Sequence, residues 1–389
     1  MPGYEIIGEE EQNAVNEIFD DGGCLFRYGF DSMRNNKYHV VEFEKNFSEF
    51  VGSKYSHAVS SGTAALLTVN KALGLKEGDE VITQSFTFVA TVEAIQECGA
   101  TPIITEVDNS LNMDPYDFES RITEKTKAVW VVHMMGVPAN LKEINKIANK
   151  YNIDVLEDTA QGLGSKIGDK YSGTIGKAGI FSFDFGKTLT TGEGGMVSTD
   201  DYELYKNIVA FSDHGHEDNP DYPRGEDTAI FGGGFNYRMG EIQGAIGKVQ
   251  LKKFNEASLQ AYKNKKLLLE NLQDVSEYFT YRKINEGTKE FADSLVMIFD
   301  SINTRTRISN YLSEKNVAFK LLPGAVKWHF AGRWDHLWIN HSEYRSQVNK
   351  WGESEKLLEK CIAIPILINM SKNDILKIAQ EIKNAIHNE

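Results

Sequence analysis

The sequence predicts an α/β protein in which a mostly parallel mixed sheet flanked by helices is followed by a smaller C-terminal α+β unit. Short β-branched runs alternate with helix-like stretches, and strand starts recur roughly every 20 to 26 residues, a spacing that suits βαβ crossovers. Runs such as Ala128-Val129-Trp130-Val131-Val132 are apolar without alternation, as in strands covered on both faces. After residue 252 the pattern shifts to a helical stretch and then to shorter, less regular strands. We therefore divide the chain into residues 1–252 and 253–389.

The elements follow in order. Residues 59–74 read as a short strand end opening an amphipathic helix, with Ser60 or Ser61 as N-cap and Gly74 as its stop. Residues 80–83 read as a strand, and 87–98 as a helix ended by Gly99. Strands follow at 101–105, 127–133 and 153–157, with a helix at 141–151 between the last two. An aromatic strand leads from Ile180 to Lys187. Beyond it come a helix at 252–275 and strands at 294–299 and 318–322.

Composition narrows the functional classes. The 389 residues carry 42 Lys+Arg against 56 Asp+Glu, a formal charge of −14, which argues against a nucleic-acid partner. Cys24, Cys98 and Cys361 stand too far apart for a zinc ribbon, a CxxC pair or a disulfide scaffold. The acidic start has no basic-then-apolar leader, and the longest strongly apolar stretch, 361–368, is far short of the ~20 residues a spanning helix needs. A cytoplasmic chain making no membrane contact is the expectation.

Three motifs are decoys. Gly186-Lys187-Thr188 ends like a P-loop, but Phe181 stands where its first glycine belongs. Gly162-Leu163-Gly164 begins like a dinucleotide fingerprint, but Ile167 replaces the third glycine. The run from Asp213 to Asp218 holds two histidines without a third ligand, so no metal is expected.

Four other features fit one another, although each alone has a commoner structural reading. The helix start at Ser61-Gly62-Thr63 offers unpaired N–H groups and a positive dipole end to an anion. Asp158 lies at the carboxyl edge of the sheet, where a carboxylate can keep a ring nitrogen protonated. Lys187, among Phe181, Phe183 and Phe185, is expected to be desolvated, which lowers its pKa and frees a nucleophilic amine. Phe86 or Phe88 can stack on a planar ring. Anion site, ring-nitrogen acid, stacking face and Schiff-base lysine together suit pyridoxal 5'-phosphate.

The segments 60–66 (SSGTAAL), 84–95, 156–165, 181–196 and 234–247 resemble, in order and spacing, the DegT/DnrJ/EryC1/StrS sugar aminotransferases, which are fold-type I PLP-dependent enzymes. The resemblance implies that Lys187 carries the cofactor and Asp158 pairs with its pyridinium nitrogen. It implies that Phe88 stacks on the ring, Gln161 approaches the ring hydroxyl, and Gly62, Thr63 and Ser182 hold the phosphate. Asn236 would reach the phosphate of a neighbouring copy, which implies a homodimer with shared sites. L-glutamate, returning 2-oxoglutarate, is the implied amino donor. Gly240 departs from the family, which more often has a polar residue there.

The start of the chain and segments 22–35, 214–236 and 322–337 resemble, within that family, the 8-amino-3,8-dideoxy-manno-octulosonate transaminases. These act on a keto- or aldehydo-sugar acid of lipopolysaccharide biosynthesis. The substrate's carboxylate asks for a cation, and Arg27, Arg224, Lys327, His329 and Arg333 are the candidates. A nucleotide-linked 4-keto-6-deoxy sugar is the alternative substrate.

Overall fold

A computed structural model describes residues 3–216, 232–323, 327–338 and 351–387. The strands are β1 (Tyr55–Val59), β2 (Glu80–Gln84), β3 (Thr101–Thr105), β4 (Thr126–Val132), β5 (Asp154–Asp158), β6 (Lys166–Ile167), β7 (Lys170–Tyr171), β8 (Ala178–Ser182) and β9 (Gly195–Thr199). The helices alongside them are α1 (Glu9–Asp20), α2 (His39–Val51), α3 (Gly62–Ala72), α4 (Ala90–Glu97), α5 (Pro115–Ser120), α6 (Leu141–Tyr151), α7 (Tyr202–Phe211) and α8 (Glu241–Glu270). The main sheet has seven strands in the order β1-β9-β8-β5-β4-β2-β3. Only β9 runs against the others, pairing antiparallel with β1 and β8.

Both faces of this sheet are covered, as the unbroken apolar strands require. Along β4, Ala128 and Trp130 pack with α3, α4 and α7, while Val129 and Val131 pack with α6 on the opposite side. Helix α6 shows how local sequence sets an element. Asn140 caps it by accepting the Glu143 N–H at 3.3 Å, Leu141, Ile144, Ile147 and Ala148 form its buried stripe, and Asn152 ends it in the left-handed region at φ 54°.

A second sheet follows, made of β10 (Thr280–Tyr281), β12 (Ser294–Ile298), β14 (Cys361–Pro365) and β13 (Lys320–Leu321), after the short β11 (Thr288–Lys289), which pairs with β6. One face packs on the end of α8 and on helices Ile302–Glu314 and Lys372–His387. The other meets the main body through Val296, Leu322, Phe330, Trp334 and Trp351, which share a core with Phe86, Val89 and Val132. No described helix is long and apolar enough to cross a membrane.

Tertiary contacts move several boundaries. The expected helix at 87–98 begins only at Ala90. The Val89 N–H is drawn to the Trp328 carbonyl at 2.8 Å, and Phe86 bridges to Phe330, so the C-terminal part keeps residues 86–88 out of the helix. The helix expected at 252–275 starts eleven residues earlier, at Glu241, and runs through the expected division at 252/253. Gly244 and Gly247 disguise its first turns. A Cβ at Gly244 would meet the Val40 backbone nitrogen at 2.6 Å, and one at Gly247 would meet the Phe43 ring at 2.6 Å, so glycine is what lets α2 lie against α8. The strand expected at 318–322 shrinks to Lys320–Leu321.

Arg27, expected among the substrate cations, instead locks β1 to α2. Its Nη2 donates to Glu44 at 2.6 Å, and the same carboxylate oxygen accepts the Ala58 N–H at 2.6 Å. Burial opposes the Glu44 charge, but Arg27 and His57 outweigh it and hold the carboxyl down to about 2, from an ordinary 4.5. Glu44→Gln leaves Arg27 buried without its counter-charge and is expected to cost about 3 kcal/mol in urea unfolding at pH 7. A lowered folded-state pKa gives stability that is full above the unfolded value. The deficit of the variant should therefore hold down to about 4.5 and narrow as pH falls toward 2. A deficit that is absent at pH 7 would show that burial outweighs the pair.

Candidate active site

The carboxyl ends of three neighbouring strands form the floor of a cavity of about 400 Å³. Val132, Asp158 and Ile180 lie side by side in register across β4, β5 and β8, and Ser182 ends β8 two residues further on. Asp158 is therefore the last residue of its strand rather than the first after it.

Only 4% of Asp158 is exposed. Its Oδ2 accepts the Thr91 hydroxyl at 2.8 Å and its Oδ1 accepts the Ala160 N–H at 3.1 Å. Thr91, the second residue of α4 and bonded at 2.9 Å to the Thr87 hydroxyl, fixes the carboxylate's orientation. Burial nevertheless dominates and raises the Asp158 pKa above its ordinary value despite these donors and Lys187. A buried acid held at a charge deficit fits a protonated ring nitrogen as the missing partner. Behind the floor, Glu157 accepts N–H groups of Gly173, Ile175 and Gly176 at 2.6–2.7 Å. It also takes a 2.9 Å hydrogen bond from His133, whose other ring nitrogen accepts the Ala139 N–H. Burial and this set of donors lock the end of β5 in place.

Lys187 enters from the loop after β8, which its backbone fixes by donating to the Asp184 carbonyl at 2.9 Å and accepting from Gly3 N–H at 3.0 Å. Burial lowers its pKa below the ordinary lysine value, against the pull of Asp158 and Asp184. The expected apolar neighbours are not the cause. Phe181 and Phe183 point to the other side, onto Phe43 and Phe47 of α2, and Phe185 stacks on Tyr4, 57% exposed. Lys187 is desolvated instead within the lining that includes Phe86, Val132, Met134 and Ile180.

At the opposite end, Ser61 caps α3 by accepting the Ala64 N–H at 3.0 Å, so Gly62 and Thr63 keep N–H groups with no intrahelical partner. A Cβ on Gly62 would meet that of Ser182 at 2.8 Å, so the glycine is what lets the helix start close on β8 and form an anion cradle. Phe88, 41% exposed, lines the wall and faces the His329 ring at 5.3 Å, while Phe86 is buried. The Gln161 carbonyl oxygen accepts the Met135 N–H at 3.2 Å, which leaves the amide NH2, a donor, for a ligand. The residues present thus fit pyridoxal phosphate at each of its polar ends.

Of the other expected cations, Arg333 is paired with Glu355 at 2.6 Å outside the cavity. Lys327 opens the 3-10 turn Lys327–His329, its side chain lies outside the described residues, and Arg224 falls wholly outside them. His329 does line the cavity, but burial, with Lys187 and Lys320 nearby, pushes its pKa down to about 4, so it is neutral at pH 7. Asn236 is exposed and away from the lining. Gly240, the family departure, sits at the N-cap of α8, and Arg238 beside it pairs with Asp213. Among the described residues no cluster could hold a metal ion. Thr91, Glu193 and Lys320 also reach the cavity and were not expected to. The four-residue spacing of the Thr87 and Thr91 hydroxyls is the local signal for the first, although Thr87 itself lies ahead of α4.

A fold-type I scaffold with an acid and a lysine facing one cavity at the sheet's carboxyl edge suits a pyridoxal-phosphate enzyme, and the family match makes it an aminotransferase. The chain belongs to the DegT/DnrJ/EryC1/StrS aminotransferase family, whose profile matches residues 6–383. It is 35% identical over 323 residues to the GDP-perosamine synthase of Escherichia coli O157:H7, covering 81% of this chain and 82% of that one. Over 376 residues it is 28% identical to a dTDP-3-amino-3,6-dideoxy-alpha-D-galactopyranose transaminase of Aneurinibacillus thermoaerophilus, covering 96% and 94% of the two chains. An aminotransferase structure from Psychrobacter cryohalolentis superposes with a TM-score of 0.86 at 26% identity, covering 98% of each chain.

Proposed function

We propose that this sugar aminotransferase takes its amino group from L-glutamate and gives it to the 8-oxo form of 3-deoxy-manno-octulosonate. The product is 8-amino-3,8-dideoxy-manno-octulosonate for lipopolysaccharide. The observation that carries the reaction class is the convergence of Lys187 and Asp158 on one cavity. The sugar rests on the likeness of segments 22–35, 214–236 and 322–337 to transaminases of that acid. Pyridoxal phosphate supplies an aldehyde that takes up and releases nitrogen, and a ring that draws electrons from the adjoining carbon.

The chain's own groups do the rest. Gly62 and Thr63 N–H groups and the Ser182 hydroxyl hold the phosphate, and Asn236 of the partner subunit completes that site in a homodimer. Phe88 covers one ring face and excludes water. Gln161 donates to the ring hydroxyl. Asp158 holds the ring-nitrogen proton, with Thr91 aiming its carboxylate. Lys187 Nζ, neutral at lower pH than an ordinary lysine because it is buried, would take the proton from the donor's α-carbon in the first half-reaction and, in the second, would deliver a proton to the sugar carbon that receives the nitrogen. We place the cofactor floor in residues 1–252 and the facing wall, with Lys320 and His329, in 253–389.

The likeness to the GDP- and dTDP-sugar enzymes supports a second reading, amination of a nucleotide-linked 4-keto-6-deoxy sugar. Supplying the 8-oxo sugar acid and a nucleotide-linked keto-sugar side by side, with glutamate, and following amine formation by mass spectrometry separates the two. We expect amination of the sugar acid to be favoured at least about 100-fold in kcat/KM, since a site built for one polar group rejects analogues that leave it unpaired. The reverse preference would replace the first reading with the second.

A further inference from the structure

We propose that Lys320 is the cation of a carboxylate subsite in the cavity wall facing Lys187. This rests on the aminotransferase reading above and names a binding residue it lacks. Side chains alternate along β13. Leu321 packs into the core of the small sheet, while Lys320 and Leu322 face the other way and both line the cavity. Lys320 therefore projects from the C-terminal part into a site whose floor belongs to the N-terminal part.

The charges around it leave this role open. Lys187 and Lys320 are the described cations of the lining, and Lys187 is committed to the cofactor. Asp158 is bonded to Thr91 and Ala160 on the floor, and Asp184 accepts the Gly186 N–H at 3.0 Å. Among the described residues neither these acids nor Glu193 comes within ion-pair distance of Lys320, which has no ion pair at all. Its neighbour His329 is neutral at pH 7, and His329 Nδ1 is buried with no hydrogen-bond partner among the described residues. A cation open to the cavity and not neutralised by any described residue suits a carboxylate, and a neutral imidazole beside it adds no competing charge. The carboxylate comes either from the amino donor or from the sugar acid.

The test uses holoenzyme and two unreactive probes, glutarate for the donor and 3-deoxy-manno-octulosonate for the sugar, titrated by calorimetry into wild type and Lys320→Ala. The variant is expected to keep the cofactor absorption band and melting temperature of wild type and to bind one probe about tenfold or more weakly, the loss expected for one charge-assisted hydrogen bond. Lys320→Arg should restore most of the binding. Weaker glutarate binding, with a raised KM for glutamate at little-changed kcat, assigns the subsite to the donor. Weaker binding of the octulosonate alone assigns it to the sugar. Equal binding of both probes by wild type and variant, or no binding of either to wild type at millimolar concentration, overturns the inference. Because binding is read without turnover, this result is independent of which sugar the enzyme aminates. An enzyme that aminates only a nucleotide-linked sugar but loses glutarate binding in Lys320→Ala keeps the subsite and loses the substrate.

Discussion

Lys187→Ala is expected to lower turnover by about 10³- to 10⁴-fold at least, the scale of a positioned general acid–base, and more if the lysine also carries the cofactor. Wild-type holoenzyme reduced with borohydride before denaturation should carry a pyridoxyl group on Lys187, and the variant treated in the same way should carry none on any residue. The fold should survive. The loop that presents the lysine is held by backbone atoms, namely the Lys187 N–H to Asp184 and the Lys187 carbonyl from Gly3, and the flanking Thr188 and Leu189 are buried in their own right. Melting temperature is the control that separates lost chemistry from lost structure. Removing an amine already disfavoured by burial relieves a charge from an apolar lining, so the variant without cofactor should melt no lower than wild type. Turnover within tenfold of wild type would remove Lys187 from the reaction.

How legible this site was depended on distance along the chain. The strand-end position of Asp158 follows from local apolar pattern and sheet topology, and the anion cradle follows from a cap and two small residues, all within a few positions. Lys187 does line the cavity, but the aromatic neighbours expected to desolvate it do not surround it. Phe181 at the end of β8 and Phe183 just after it turn to α2, and Lys187 is buried instead at a cavity lined also by Phe86, Val132 and Ile180. Of the cations expected for a carboxylate, Arg27 is consumed by Glu44 and Arg333 by Glu355, while Arg224 lies outside the described residues. Lys320 sits on a two-residue strand whose facing is set only by pairing with β14, a contact across more than forty residues that no local pattern encodes. The same holds for the start of α4, delayed by the Val89 bond to Trp328. Helix α8 was obscured for the opposite reason. Its glycines look like breakers until α2 is laid against them.

Asp158→Asn is expected to separate stability from activity. The carboxylate is buried and its folded-state pKa is raised, burial being the largest influence and the bonds from Thr91 and Ala160 opposing it. A raised carboxyl pKa means that the folded protein without cofactor bears a penalty above that pKa, which disappears as pH falls to the ordinary value of 3.8. Asparagine removes the charge at equal size. It can still accept one of the two donors, and the Thr91 hydroxyl can turn to accept from its NH2. The cofactor-free variant should therefore melt above cofactor-free wild type at pH 7, with the gap closing as pH approaches 4. With cofactor bound the order reverses, because only the carboxylate gains a protonated ring nitrogen as partner, and wild type should gain more melting temperature from the ligand than the variant does. Turnover should fall by about 10²- to 10⁴-fold, since an uncharged amide no longer holds the proton that makes the ring an electron sink. A variant that melts below wild type without cofactor across this pH range would mean that Asp158 is a structural acid satisfied by Thr91 and Ala160, and that the ring nitrogen is held elsewhere.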